Sequence, residues 1–169
     1  NFGTVERTTM HGDTVRFLLS VPSVEGSYAY SLLAGGITDL QGVGNLAHSG
    51  GFVIDKTPPR VVSQNPEVQS VSPFGSWSIT FSEALDPTTV QTADFVLRNP
   101  GNSTIGISTA VVSEDGLTVT LTFGGQFTEG NYTLTVGNNI LDLAGNRMDQ
   151  DTATAGEQTY LGTVQVASP

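Results

Sequence analysis

The chain has 169 residues, enough for one domain or for one and a half smaller ones, and 6 basic against 16 acidic residues leave a formal net charge of −10. That charge repels a phosphate backbone, so nucleic acid is excluded as a partner, and no apolar run reaches the roughly 20 residues needed to insert in a bilayer. There is no cysteine, so disulfides, thiol nucleophiles and thiolate metal sites are absent too.

In chain order, the first alternating run is GDTVRFLLS, with Val15, Phe17 and Leu19 on one face, and the second is GSYAYSLL from Gly26. The phrase ITDLQGVGNLA follows at Ile37, then GFVIDKTPP, whose Pro58 and Pro59 fix the backbone and read as a semi-rigid linker. From Arg60 the strand candidates are Arg60 to Ser63; the run of Trp77, Ile79 and Phe81; Asp94 to Arg98; and Ile105 to Val112. They continue with Val119, Leu121 and Phe123; then Tyr132, Leu134 and Val136; and finally Thr159 to Val164. Turn residues such as NPGN at Asn99 and EDG at Glu114 separate them. DPTTVQTADF predicts one short helical or 3₁₀ turn, capped by Asp86 with Pro87 in its first turn. About seven strands in about 100 residues is the arithmetic of an antiparallel β-sandwich. Trp77 and the tyrosines on the inward face are expected in its core.

The second half of the sequence echoes the first. Tyr28 of GSYAYSLL falls on Tyr132 of GNYTLTVG at an offset of 132 − 28 = 104; Val15, Phe17 and Leu19 fall on Val119, Leu121 and Phe123; and Asp39 meets Asp142 once a residue is dropped. GFVIDKT is matched to TYLGT at Thr159, and PRVVSQNP weakly to TVQVASP at Thr163. The expected organisation is therefore the back half of a repeat over 1–58, a complete repeat over 59–162, and over 163–169 the first strand of a following repeat or a free tail.

The ordered set TPPRVVSQNP, WSITFSEALDPTTV, DFVL, VSEDGLTVTLTF and GNYTLTVGNNILDLAGN resembles the bacterial Ig-like modules of S-layer proteins, large adhesins and other multi-domain surface proteins. The resemblance covers nearly all of 59–150 and implies an all-β, Ig-like sandwich in an end-to-end tandem rod, extracellular or on the cell surface. TDLQGVGN reads as two residues longer than LDLAGN, which puts that loop's role as a ligand in question.

The repeated Asp-Leu phrase has two readings. As a turn, Asp142 and Asn146 hydrogen-bond nearby backbone and Gly145 supplies a positive φ. As a cation site, the candidate ligands are Asp55, Glu83, Asp86, Asp142 and Asn146, whose hard oxygens suit calcium. No other cofactor is required. His11 and His48 have no counterpart in the complete repeat, and no Gly-x-Ser-x-Gly elbow accompanies them. Glu83 with Asp86, and Glu114 with Asp115, read as solvated turn carboxylates, Gly124–Gly125 as no phosphate loop, and the Asn102 and Asn131 sequons as chance.

The expected function is accordingly a non-catalytic spacer or structural element whose partners are neighbouring Ig-like repeats. Two other readings stand beside it. In one the half repeat leaves Val15, Phe17, Leu19, Tyr28 and Tyr30 uncovered, and if Asn1 is a true terminus a strand from an identical subunit, with the tail from Thr159 as donor, completes it and builds a filament. In the other the chain is an accessory module beside an enzyme or a carbohydrate-binding domain.

Overall fold

The structure is a computed structural model that describes residues 5–11, 14–19, 22–71 and 73–167. It divides into two compact units, Asn1–Lys56 and Thr57–Pro169.

The first unit contains two hairpins. β1 (Val5–His11) pairs antiparallel with β2 (Thr14–Leu19), and β3 (Gly26–Leu32) with β4 (His48–Ile54). The β3–β4 connection is the long turn that carries Ile37–Ala47. Among the side chains described in this unit, which leave out those of residues 5–11, 15, 18 and 19, none is buried. Asn1 and the side chains of His11, Val15 and Leu19 lie outside the described residues.

The second unit is a closed sandwich. After β5 (Val61–Asn65) and β6 (Gln69–Val71) come β7 (Phe74–Phe81), β8 (Phe95–Arg98), β9 (Thr104–Ile105), β10 (Ile107–Val112), β11 (Thr118–Gln126), β12 (Gly130–Val136) and β13 (Tyr160–Ala167). One sheet has the order β10-β11-β7-β5 and the other β6-β13-β12-β8-β9. All pairings are antiparallel except β13 with β6.

The period-two pattern explains the layers. Trp77, Ile79 and Phe81 of β7 and Val119, Leu121 and Phe123 of β11 point inward, against Tyr132, Leu134 and Val136 of β12 and Val164 and Val166 of β13, and all are buried. Phe74 gathers the rings of Trp77, Phe123 and Tyr132 at centroid distances of 5.7, 5.1 and 5.4 Å, the last two edge-on. On the outer face of the first sheet the intervening hydroxyls pair across strands: Ser78 with Thr120 at 3.1 Å, Thr80 with Thr118 at 3.4 Å and Thr109 with Thr122 at 2.6 Å.

Two expectations are corrected here. The boundary expected at 162 falls inside β13, which pairs with β12 from Tyr160 to Val166 and buries Val164 and Val166. Residues 163–167 thus complete this sandwich instead of starting another, and 168–169 lie outside the described residues. Among the described residues the one 3₁₀ turn, Thr92–Asp94, falls inside DPTTVQTADF as expected, but it is not capped by Asp86, whose carboxylate turns back onto the amide and hydroxyl of Thr88 at 2.9 and 2.7 Å. The Asp94 carboxylate instead holds the Gln91 amide at 2.8 Å and fixes the later turn.

Internal registers of the two units correspond strand by strand. Hairpin β1–β2 pairs Met10 with Val15 and Thr8 with Phe17, as β10–β11 pairs Val112 with Val119 and Ala110 with Leu121. Each has one register break, between Val5 and Arg7 and between Ile107 and Thr109. Likewise Tyr28 faces Phe52 and Gly26 faces Ile54 across β3–β4, as Tyr132 faces Val164 and Gly130 faces Val166 across β12–β13.

Candidate functional site

In the second unit the candidate site is the turn after β12, where the chain must reverse and reach β13. Leu141 and Arg147 bridge across it, and Gly145 takes φ 90°, a conformation a side chain resists. Asp142 is buried, and its Oδ1 accepts hydrogen bonds from the amides of Ala144 and Asn146, both at 2.8 Å. Its Oδ2 accepts the side-chain amide of Asn146 at 2.9 Å, and the same amide reaches the carbonyl of Thr57 at 3.3 Å. The segment Ser82–Thr89 cradles the turn: the Leu143 amide donates to the Ala84 carbonyl at 3.3 Å, the Asp86 amide to Leu141 at 2.9 Å, and the Leu141 amide to the Thr89 hydroxyl at 3.1 Å.

That cradle places Glu83, half-buried, with a carboxylate oxygen within 4.8 Å of one from Asp142. Of the sequence candidates in this unit, then, Glu83 and Asp142 are brought together, with Asn146 bound to Asp142 through its amide. Asp86 is diverted into its own turn, where the Thr88 hydroxyl and then the Thr88 amide hold its carboxyl below the usual range. Asp55, half-buried, lies just beyond β4 near the end of the first unit.

A carboxylate has about four acceptor positions. Asp142 spends three on N–H donors, so about one remains for a cation, while calcium asks for about six to eight oxygens. The three donors satisfy the turn without an ion, and a cation beside Glu83 would have few protein oxygens and so would be held weakly.

The first unit repeats the same wiring. Asp39 Oδ1 accepts the amides of Gln41 and Val43 at 2.9 and 2.8 Å, Thr38 bridges Gly44, and Gly42 takes φ 83°. The Asp39 amide donates to Val43 O at 3.0 Å as Asp142 donates to Asn146 O at 3.1 Å, and Asn45 to Ile37 O at 2.9 Å as Met148 donates to Ile140 O at 2.9 Å. The two turns are therefore equal in length, which corrects the reading that TDLQGVGN is two residues longer. Asn45 answers to Met148, and Val43 to Asn146, so only the second turn has an amide on the far carboxylate oxygen. The strands before the turns are also tied alike: the Tyr28 hydroxyl donates to Val24 O at 2.5 Å, and that of Tyr132 to Thr128 O at 2.9 Å.

The model of a family described as a bacterial Ig-like domain matches residues 55–159, more than half of the chain. The chain belongs to the bacterial Ig-like family. Among solved structures, the N-terminal part of the bacterial S-layer protein SbsC is similar at 22% identity with a TM-score of 0.50, over 65% of this chain and 24% of that one. A structure of SbsC domains 1–6 is similar at 22% identity and a TM-score of 0.49, over 64% of this chain and 14% of that one. CopC from Methylosinus trichosporium OB3b gives 11% and 0.47, over 65% of this chain and 94% of that one. This chain thus spans less than a quarter of the S-layer chains it resembles. No curated protein matches it in sequence.

The remaining candidates of this Ig-like chain fall on turns and strands. His48, exposed on β4, stands 3.5 Å from the Tyr30 hydroxyl. Asp115 binds the Ser113 hydroxyl at 2.6 Å and the Leu117 amide at 3.0 Å, which together lower its pKa, the hydroxyl most. Among the described residues no helix is long and apolar enough to cross a membrane.

Sequence reasoning missed two glutamines. Gln150 meets the backbone of Val61 with both ends of its amide, each at 2.9 Å, and so acts as an extra strand partner for β5. Gln64 accepts the Tyr160 hydroxyl at 2.7 Å and donates to Thr163 O at 3.1 Å, linking β5 to β13 of the other sheet. Glutamine in a polar stretch carries no pattern that distinguishes a buried link from a solvated side chain.

Proposed function

We propose that the chain is a non-catalytic structural module, a stretch of tandem Ig-like repeats that acts as a spacer in a cell-surface or secreted protein. The observation that carries this reading is the recurrence, in both units, of the same strand registers and the same turn wiring at Asp39 and Asp142. A duplicated site for catalysis would repeat exposed reactive groups. What is repeated is backbone architecture.

The mechanism is mechanical. Load entering at Thr57–Pro59 meets residues already pinned to their own sandwich: Thr57 O by Asn146, and Pro59 O by the Asp149 amide at 3.1 Å. Load leaving at Ala167 passes along β13, which runs parallel to β6 in the register Gln165 with Gln69 to Ala167 with Val71. Opposed pulls on a parallel pair strain its hydrogen bonds side by side, in shear, instead of one after another.

The test is single-molecule stretching of the chain between handles at its two ends. The second unit should unfold in one step, and Gln165→Pro, which removes the 2.8 Å bond from the Gln165 amide to Val68 O, should lower its unfolding force. An unfolding force unchanged by that substitution would refute the load path. For location, protease applied to intact cells making the native polypeptide should release peptides of residues 57–167; release only after lysis counts against a surface role.

A further inference from the structure

Resting on the surface reading above, we propose that Asn102 is a glycosylation site, whose side-chain amide nitrogen takes an oligosaccharide from a lipid-diphosphate donor. The chain holds two Asn-x-Ser/Thr sequences, Asn102-Ser103-Thr104 and Asn131-Tyr132-Thr133. From the letters alone both pass as chance, and nothing ranks one above the other. Their surroundings in the fold do.

Asn102 stands in the chain reversal between β8 and β9. Residues 100–104 are all exposed, and Asn102 takes φ 62°, a left-handed conformation that asparagine tolerates better than most residues. Other groups build this turn. The Asn102 backbone amide donates to Asn99 O at 2.8 Å, the Asn99 side-chain oxygen accepts the Ser103 amide at 2.9 Å, and Arg98 donates to Asn102 O at 3.0 Å. Asn99 thus supplies the side-chain bond that shapes the turn, and the Asn102 carboxamide has no hydrogen-bond partner among the described residues. Thr104, whose hydroxyl the recognition sequence requires, opens β9, a strand of two residues that among the described residues pairs only with β8. Nucleophile and hydroxyl therefore lie two residues apart on an exposed tip, which an enzyme reaches without opening the sheet.

Asn131 is exposed too, but it is the second residue of β12, a strand flanked by β13 and β8. It pairs with Gln165, and the Tyr132 that follows is fully buried, with its hydroxyl tied to Thr128 O at 2.9 Å. Seating an enzyme around residues 131–133 requires drawing Tyr132 out of the core. The fold offers one of the two sequences and withholds the other. In the transfer itself, the Asn102 amide nitrogen forms a bond to the anomeric carbon of the donor's first sugar, and the bond from that carbon to the diphosphate oxygen breaks. The lipid diphosphate leaves with the electron pair, and the amide gives up one proton to a base of the transferring enzyme. Donor and enzyme both belong to the membrane of the producing cell, and the product is a bulky, hydrated group on the β8–β9 turn.

The experiment is peptide mass analysis of the native polypeptide isolated from its source. Cleavage after glutamate puts Asn102 on peptide 84–114 and Asn131 on peptide 130–157. The expected result is a series of whole-sugar mass increments on peptide 84–114, retained on Asn102 in gentle fragmentation, and none on peptide 130–157. An unmodified Asn102 overturns the proposal, and so does sugar carried by Ser103 or Thr104 in its place. Sugar on Asn131 as well overturns the choice assigned to the fold. Thr104→Val in the producing cell removes the recognition hydroxyl and keeps a strand-forming residue, so it should abolish the increments while the polypeptide still reaches the surface; increments that persist also overturn the proposal. Because release from intact cells is read separately, an unmodified peptide 84–114 recovered from the surface rejects the glycan and leaves the spacer reading standing.

Discussion

Asp142 and Asp39, separated by 142 − 39 = 103 positions, each use one carboxylate oxygen to hold the two amides lying two and four residues ahead. The aspartate is retained by backbone geometry, since a short side-chain acceptor here satisfies two amides that the reversing chain leaves unpaired. Asp142→Ala should therefore cost the second unit about 2–4 kcal/mol, because it leaves two backbone amides without their acceptor beside a buried position and removes one of the Asn146 side chain's bonds. Asp142→Asn should recover part of the loss by keeping an oxygen at Oδ1. Asp39→Ala, at an exposed turn, should cost less. Urea unfolding of the three variants checks the order, and equal losses for the alanine pair would mean that burial does not set the effect.

The pairing of Glu83 with Asp142 makes a second prediction, about calcium. Two carboxylates within 4.8 Å repel each other when both are charged, and a bound cation relieves that repulsion. Millimolar calcium should raise the melting temperature of the second unit, by linkage, and Glu83→Gln should raise it without calcium and abolish the response. A melt indifferent to calcium in the parent chain removes the ion from the account and leaves Asp142 a turn residue alone.

Strand positions were legible because Trp77 to Phe81, Val119 to Phe123 and Tyr132 to Val136 alternate, and a half-buried strand has to alternate. Gln69–Val71 carries no such alternation, so β6 was invisible; it exists because β13 offers a parallel edge. Sequence letters misled where the backbone decided. Asn45 and Asn146 look equivalent, yet the hydrogen bonds align Asn45 with Met148, and the tail TVQVASP resembles a first strand only until its partner β12 is known. The acidic candidates could be named from composition, but which of them meet depends on the Ser82–Thr89 cradle, a contact between segments far apart in sequence.

Stability should fall at both ends of the pH range, for opposite reasons. Burial raises the pKa of Tyr132, which its bond to Thr128 O only partly offsets, and burial also raises that of Tyr160. The unfolded tyrosines ionise near pH 10, so their contribution is whole below about pH 10 and is lost as pH climbs from there through the raised folded values. Tyr132→Phe should flatten the alkaline slope without removing it, since Tyr160 remains. On the acid side Asp86, Asp115 and Asp151 are held low, chiefly by the hydroxyls of Thr88, Ser113 and Thr154. Their contribution is present above about pH 4 and is lost as pH falls through the lowered values, and because all three are solvent-facing the acid loss should be shallow. Urea midpoints measured from pH 2 to pH 11 give both slopes.

Gly162 is fixed by what lies beside it. A Cβ at this position would meet the Gln64 side-chain oxygen and would come within 3.1 Å of the Trp77 ring and 3.0 Å of Tyr160. That oxygen is the acceptor of the Tyr160 hydroxyl, so the intruding methyl group would attack the link between β5 and β13 and the tryptophan core together. Overpacking of a close-packed interior costs about 1–3 kcal/mol, and a displaced Gln64 also leaves the Tyr160 hydroxyl without its partner. Gly162→Ala should therefore destabilise the second unit by about 2–4 kcal/mol, and Gln64→Ala in the same chain should recover part of the loss by vacating the space. Urea unfolding of the two single variants and the double variant gives the coupling; additive losses would mean that Gln64 is not what excludes a side chain from this position.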